Sequence, residues 1–158
     1  MPKITFDTYG NPKPYEIVLL SLDEIEAIFV RDFPLSTTRA KNFNNYKLYT
    51  KALYEFQVEP FYQWLAGSFT TKKQNPNDID LVNFIDYTKF DKDLKLFDMQ
   101  KSNGFPKQIY NIDGYNVLVF PESHPYYVKM VQQREYWQRQ FGSDRQERPK
   151  ALIEVHNR

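Results

Sequence analysis

The chain has 158 residues and a formal charge of +1, with 21 basic residues against 20 acidic ones, no cysteine and 17% aromatic residues. That length suits one domain burying about two thirds of its unfolded surface, and the balanced charge excludes a global field drawing the protein to nucleic acid or membrane, so any anion site must be local. The missing cysteines exclude a disulfide framework and a thiol nucleophile, and without an apolar N-terminal core or about eighteen unbroken apolar residues we expect a cytoplasmic protein with no cleaved signal and no membrane span.

Residues 1–20 carry Pro12 and Pro14 and then the brief apolar run Ile17 to Leu20, which reads as an N-terminal arm packing on the domain. Ser21-Leu22-Asp23-Glu24 has the form of a capping box, in which a hydroxyl and a carboxylate satisfy free amides at a helix start. The helix it opens runs to about Arg31, with Ile25, Ile28 and Phe29 on one face, and Pro34 ends it. A second helix is predicted from Ser36 or Thr37 to about Gln57. Its Phe43, Tyr46, Tyr49, Leu53 and Phe56 form an amphipathic stripe, which at this period packs on a core rather than stacks on a base.

Next come a first core strand over Val58 to Ala66 and a second over Ile79 to Ile85. The segment joining them, WLAGSFTTKKQNPNDIDLV from Trp64 to Val82, is the most informative in the chain. Alternate strand side chains share a face, so Asp78 and Asp80 should lie together while Ile79 and Leu81 turn to the core. Two such carboxylates repel, which suits a cation better than an empty site, and hard ions such as magnesium usually share oxygen ligands of this kind with substrate phosphates. Gly67 and the Ser68 hydroxyl offer an N–H and an O–H to a phosphate. Thr70, Thr71, Lys72 and Lys73 form a polar, cationic loop suited to a polyphosphate.

Tyr87 to Met99 reads as a helix with Phe90, Leu94 and Phe97 inward and a solvated charged face. Lys101 to Pro106, with Asn103 and Gly104, reads as a turn. Gln108 to Phe120 contains a third strand, in which Gly114 suggests a bend or bulge and Asp113 is the one acid inside the strand; an aspartate turn before Gly114 would account for Asp113 equally well. A helix follows from about Tyr126 to Phe141, with Tyr127, Met130, Val131, Arg134 and Trp137 on one side. A loop with Arg145, Arg148 and Lys150 then leads to a strand over Ala151 to Val155. Those three cations suit a triphosphate or a nucleic-acid backbone, and an ordinary basic turn accounts for them too. Walker A, Gly-x-Gly-x-x-Gly and Gly-x-Ser-x-Gly patterns are absent, and His124 and His156 are too few for a zinc site.

An apolar residue, Gly, then Gly or Ser, a spacer of about ten residues, and acid-apolar-acid-apolar is the signature of the nucleotidyltransferase superfamily, the polymerase-beta-like fold. Ala66, Gly67, Ser68 and Asp78 to Leu81 resemble it at every position. The longer string GSFTTKKQNPNDIDLV, with FPESHP and YWQRQFGSDRQERPK, is similar to a family of small, largely uncharacterised bacterial nucleotidyltransferase-like proteins. The resemblance implies an α+β fold, with a small mixed sheet flanked by helices, in a single domain over residues 1–158. It implies an enzyme moving an NMP from an NTP to a hydroxyl of a protein, RNA or nucleotide acceptor. Asp78, Asp80 and a third carboxylate, for which Asp113 is the candidate, would be catalytic and would hold Mg2+ or Mn2+. Gly67, Ser68, Thr70, Lys72, Lys73, Arg148 and Lys150 would bind the nucleotide. By analogy such a protein serves a bacterial toxin-antitoxin or phage-defence system, with a protein partner or a second copy of itself and no membrane. The alternative is a catalytically inactive module of the same fold that binds a nucleotide, a nucleic acid or a protein partner, as an antitoxin subunit would.

Overall fold

Three of the strands alternate between two hydrophobic environments, and that alternation builds the molecule around one sheet. The computed structural model describes residues 2–55, 60, 62–89 and 106–156. In chain order these form β1 (Thr5–Phe6), β2 (Pro12–Lys13), β3 (Ile17–Leu19), α1 (Leu22–Glu26), α2 (Arg39–Glu55), β4 (Tyr62–Ala66), β5 (Ile79–Asp86), β6 (Ile112–Val119), α3 (Tyr127–Phe141) and β7 (Leu152–Val155). The architecture is α+β. A five-stranded mixed sheet has the order β3-β7-β4-β5-β6, and β1 and β2 form a separate hairpin. The β3–β7 and β5–β6 pairs are parallel; β4 is antiparallel to both neighbours.

On one face Leu65, Ile79, Leu81, Ile112 and Ile153 pack against Ile25, Phe29, Phe43, Tyr46, Tyr49 and Leu53 of the first helical segments. On the other, Trp64, Ala66, Val82, Phe84 and Val117 meet Met130, with Tyr127, Val131, Trp137 and Phe141 of α3 packed alongside. The predicted stripe of α2 and the inward side of α3 are thus the two covers of the sheet. No helix among the described residues is long and apolar enough to cross a membrane.

The capping box is present: the Ser21 hydroxyl accepts from the Glu24 amide at 3.1 Å and the Glu24 carboxylate from the Ser21 amide at 2.8 Å. Past Glu26 that helix widens into a π turn over Ala27–Arg31. Several boundaries differ from the sequence expectation. The predicted arm supplies the edge strand β3, because Ala151 and Leu152 donate to the carbonyls of Pro12 and Glu16 at 2.8 and 3.0 Å and zip the N-terminus onto the last strand. The third strand starts at Ile112, after a π turn over Pro106–Tyr110. Gly114 makes no bulge in it: pairing with β5 runs unbroken from Ile112 to Val119. Tyr87–Lys89 is a 3-10 turn. The rest of the helix expected there, with Phe90, Leu94 and Phe97, lies outside the described residues, as do Phe56, Val58 and the turn containing Asn103 and Gly104.

Two polar features inside the core fix how the strands and the loop after β4 are held. The first is a hydrogen-bonded chain. Tyr46 donates to Gln63 Oε1 at 2.5 Å, Gln63 Nε2 to Asn83 Oδ1 at 2.7 Å, and Asn83 Nδ2 to the Tyr49 hydroxyl at 2.7 Å. This satisfied chain ties β4, β5 and α2 together and opposes a register slip, which would leave buried donors unpaired.

The second is Arg39, fully buried at the start of α2. Its guanidinium donates to the carbonyls of Phe29 and Phe69 at 2.9 and 2.6 Å, of Thr71 at 2.7 Å, and of Lys73 at 2.5 and 3.2 Å, and it lies 3.9 Å over the Phe33 ring. Burial lowers its pKa to about 10, so it stays charged at neutral pH. Five donors spent on four carbonyls hold the chain after β4 in one shape. Removing them would strand buried acceptors at a cost of about 3–5 kcal/mol.

Candidate functional site

The strand register brings the signature together. Ala66 at the end of β4 lies opposite Asp80 of β5, so Gly67 continues past that carboxylate. Its backbone has φ 74° and ψ −162°, a combination that is essentially restricted to glycine. A Cβ there would stand 1.9 Å from Asp80 Oδ2. The glycine is thus required both by its conformation and by the acid it touches. Ser68–Thr70 then forms one 3-10 turn, whose carbonyls and those just after it are held by Thr71 Oγ1 on Ser68 at 2.7 Å and by Arg39.

Asp80 shares a face of β5 with Val82 and Phe84, while Ile79 and Leu81 turn to the opposite core. On the parallel neighbour, Asp113 is in register with Asp80, which puts the two carboxylates on adjacent strands spaced about 4.8 Å apart. The strand begins at Ile79, so Asp78 stands just before it rather than on it. Asp78 nevertheless reaches the same place: the Lys107 ammonium pairs with it and lies 3.8 Å from Asp113. Burial, then the charges of Asp78 and Asp113, push the Asp80 pKa up to about 7, against the pull of Lys107 and Lys150. Burial works against the Lys107 charge too, but its hydrogen bond to Asp78 and the surrounding carboxylates hold its pKa above the usual lysine value.

The three aspartates open onto a cleft of about 1310 Å³, and Lys107 is not among the residues that line it. Gly67, Ser68, Lys73, Asp78, Asp80, Asp113, Arg148 and Lys150 all line it. Thr70 and Lys72 are not among its lining residues: Thr70 is buried with its hydroxyl on the Gly67 carbonyl at 3.2 Å, and the exposed Lys72 turns its amide to the Gly10 carbonyl at 2.9 Å. Arg145 sits exposed among the lining residues of the last loop.

Lys150 is the most telling of the cations. It is only 8% exposed, and among the described residues its ammonium has no hydrogen-bond or ion-pair partner. Burial lowers its pKa, opposed by Asp80 and Asp144. Among the described residues only the Thr38 and Thr50 hydroxyls are enclosed without a partner; the Lys150 ammonium instead meets the open cleft that the residue lines, where an anion would pair with it. Arg148, by contrast, is already engaged: its Nε donates to Asp144 at 2.7 Å and its guanidinium stacks 4.0 Å over Tyr9. Burial pushes Asp144 upward, but hydrogen bonds from Asn11, Arg148 and the Arg148 and Gln146 amides outweigh it and hold the carboxyl far below the usual range.

Sequence reasoning missed Lys107, Asp144, Asn11 and Tyr9. The aspartate turn in Gly142-Ser143-Asp144 was a visible signal for Asp144. Tyr9 and Asn11 sit in a second aspartate turn, their amides on Asp7 Oδ1 at 2.8 and 2.9 Å, but their approach to Arg148 and Asp144, and that of Lys107 to Asp78, spans distant parts of the chain.

Among the described residues no group of three acidic or histidine side chains stands close enough to enclose one ion. Magnesium rarely asks for that, since it is usually held by one or two carboxylates together with phosphates and water. The donor set fits such an ion on one observation: Asp80 and Asp113 stand in register on adjacent strands and line one cleft with Asp78. Asp78 and Asp80 are the residues that would hold Mg2+ or Mn2+ against a nucleotide, with Asp113 beside them.

No curated protein and no solved structure matches the chain. One family model, described as a family of unknown function (DUF6932), does match, over residues 4–156, and the chain therefore belongs to that family.

Proposed function

We propose that this protein is a metal-dependent nucleotidyltransferase that moves an NMP from an NTP to a hydroxyl of a protein, RNA or nucleotide acceptor. One observation carries the reading: three carboxylates line the same cleft as an unpaired, nine-tenths-buried Lys150 and the Gly67–Ser68 turn. An ion-bearing polyphosphate satisfies both halves at once, since the carboxylates want a cation and the lysine an anion. The resemblance of residues 66–81 to the superfamily signature agrees with it.

Gly67 and Ser68 hold the terminal phosphates with an amide and a hydroxyl, and Lys73 and Lys150 neutralise them. The ion, when bound, supplies charge neutralisation and alignment of the phosphates. Asp113 accepts the proton of the acceptor hydroxyl. The acceptor oxygen forms its bond to the α-phosphorus as the bond to the bridging oxygen breaks, and pyrophosphate carries that electron pair away. The enzyme contributes position and charge, not a covalent intermediate.

A catalytically silent module is the second reading, favoured by Lys107, whose ammonium already neutralises part of the cluster. The two separate on incubation of the protein and cell extract with each α-phosphate-labelled NTP and Mg2+ or Mn2+. The transferase reading expects a labelled protein, RNA or new nucleotide species that is lost in Asp78→Ala. Metal-dependent NTP binding with no transferred label in any fraction identifies the silent module instead.

A further inference from the structure

We propose that Lys107 is the resident second cation of this site, so that the cleft takes one divalent ion per chain and not two; this rests on the nucleotidyltransferase reading above. Its ammonium pairs with Asp78 and stands 3.8 Å from Asp113, which is the ground a second ion beside the acceptor would occupy. The lysine is held there by its own backbone. The π turn Pro106–Tyr110 ends with the Asn111 amide donating to the Lys107 carbonyl at 3.2 Å, and the Asn111 side chain donates to the carbonyl of Asn77, next to Asp78. Asn111 takes φ 57°, a left-handed conformation that asparagine tolerates well. A chain so tied to the entrance of β5 carries its ammonium to the carboxylates as part of the fold.

Local repulsion points the same way. The net charge alone does not choose, since a triphosphate offsets one ion or two. A second ion on the Asp113 side, however, would stand against the Lys107 ammonium in a partly buried site where like charges are poorly screened. The unpaired Lys150 is independent evidence that an anionic ligand belongs in the same cleft. With Lys107 in place, the acceptor oxygen meets a fixed ammonium on the Asp113 side, and the single ion serves the phosphates.

Equilibrium dialysis of the full chain against Mn2+, with each α,β-methylene NTP analogue, counts the ions, and electron paramagnetic resonance reports spin coupling between any pair. We expect one Mn2+ per chain and no coupling in the wild type. In Lys107→Met, or Lys107→Gln should the first variant fail to fold, we expect two coupled ions, the second binding at least tenfold more tightly than any weak second ion in the wild type. Two tight ions in the wild type would overturn the role of Lys107 and leave the transferase reading standing. A single ion in both wild type and variant would also overturn it. No bound Mn2+ at all would overturn both.

Discussion

Asp80→Asn is expected to abolish nucleotidyl transfer and, at pH 8 without divalent ions, to raise the melting temperature. The two effects have one cause. The folded protein holds the proton of Asp80 up to about pH 7, whereas the unfolded chain releases it near the ordinary aspartate value of 3.8. Well below pH 3.8 the group is protonated in both states and costs nothing. As pH rises from 4 to 7 only the unfolded state ionises freely, so stability is lost across that window and the whole penalty is present above it. About three pH units of difference correspond to roughly 2–4 kcal/mol in a site that still meets solvent. For a chain of this size that is a gain of roughly 5–15 °C on substitution. Melting curves of wild type and variant at pH 4 and pH 8 check it: the difference should be small at the lower pH and large at the higher. A variant less stable than wild type at pH 8 would mean that Asp80 is stabilised by partners rather than strained by neighbours. Saturating Mg2+ and NTP should narrow the gap at pH 8, because ligands that bind only the folded wild type restore its stability.

Gly67→Ala is expected to lose metal-dependent nucleotide binding more completely than its loss of stability explains. The substitution meets two obstacles. The backbone stands at φ 74° and ψ −162°, which costs a non-glycine residue about 1–3 kcal/mol. The new methyl would also stand 1.9 Å from Asp80 Oδ2 and 2.8 Å from its Cγ, so the carboxylate must leave the position in which it lies beside Asp113. Gly10→Ala separates the two. Gly10 also has a positive φ, 79°, but a Cβ there would meet only Lys72, at 3.2 Å. Gly67→Ala should lose more stability than Gly10→Ala, since the clash with Asp80 adds to the backbone strain, and at a temperature where both variants are folded NTP affinity in the presence of Mg2+ falls at least thirtyfold for Gly67→Ala and less than threefold for Gly10→Ala, as read by calorimetry. Equal losses of affinity in the two variants would contradict the claim that Gly67 exists to let Asp80 into the cleft.

How much of this molecule is legible in its sequence depends on the range of each interaction. The capping box of Ser21 and Glu24 spans three residues, and the α2 stripe through Phe43, Tyr46, Tyr49 and Leu53 needs only helical spacing, so both are written locally. The Gly67–Ser68 turn and the pair Asp78 and Asp80 lie within fourteen residues, and their grouping in one cleft needs only a strand, a loop and a strand. Arg39 reads as one more surface charge at a helix start, because its acceptors come from residues 29, 69, 71 and 73. Lys107 is hidden for the same reason: a lysine paired with Asp78, 29 residues away, is spelled like a solvated one. The β3 edge strand depends on pairing with residues 152–154 at the other end of the chain, which no local pattern announces. Gln63 and Asn83 sit where core strands are expected to be apolar, and only their partners across the strands explain them.

If the aspartates and Lys150 together await a nucleotide carrying a divalent ion, titration calorimetry of the four NTPs tests it most directly. We predict saturable heat with at least one NTP in Mg2+ or Mn2+, reduced at least tenfold in affinity when the ion is chelated, and abolished in Asp78→Ala with the melting transition intact. Heat of the same size with and without the ion, or binding that survives Asp78→Ala unchanged, would contradict it.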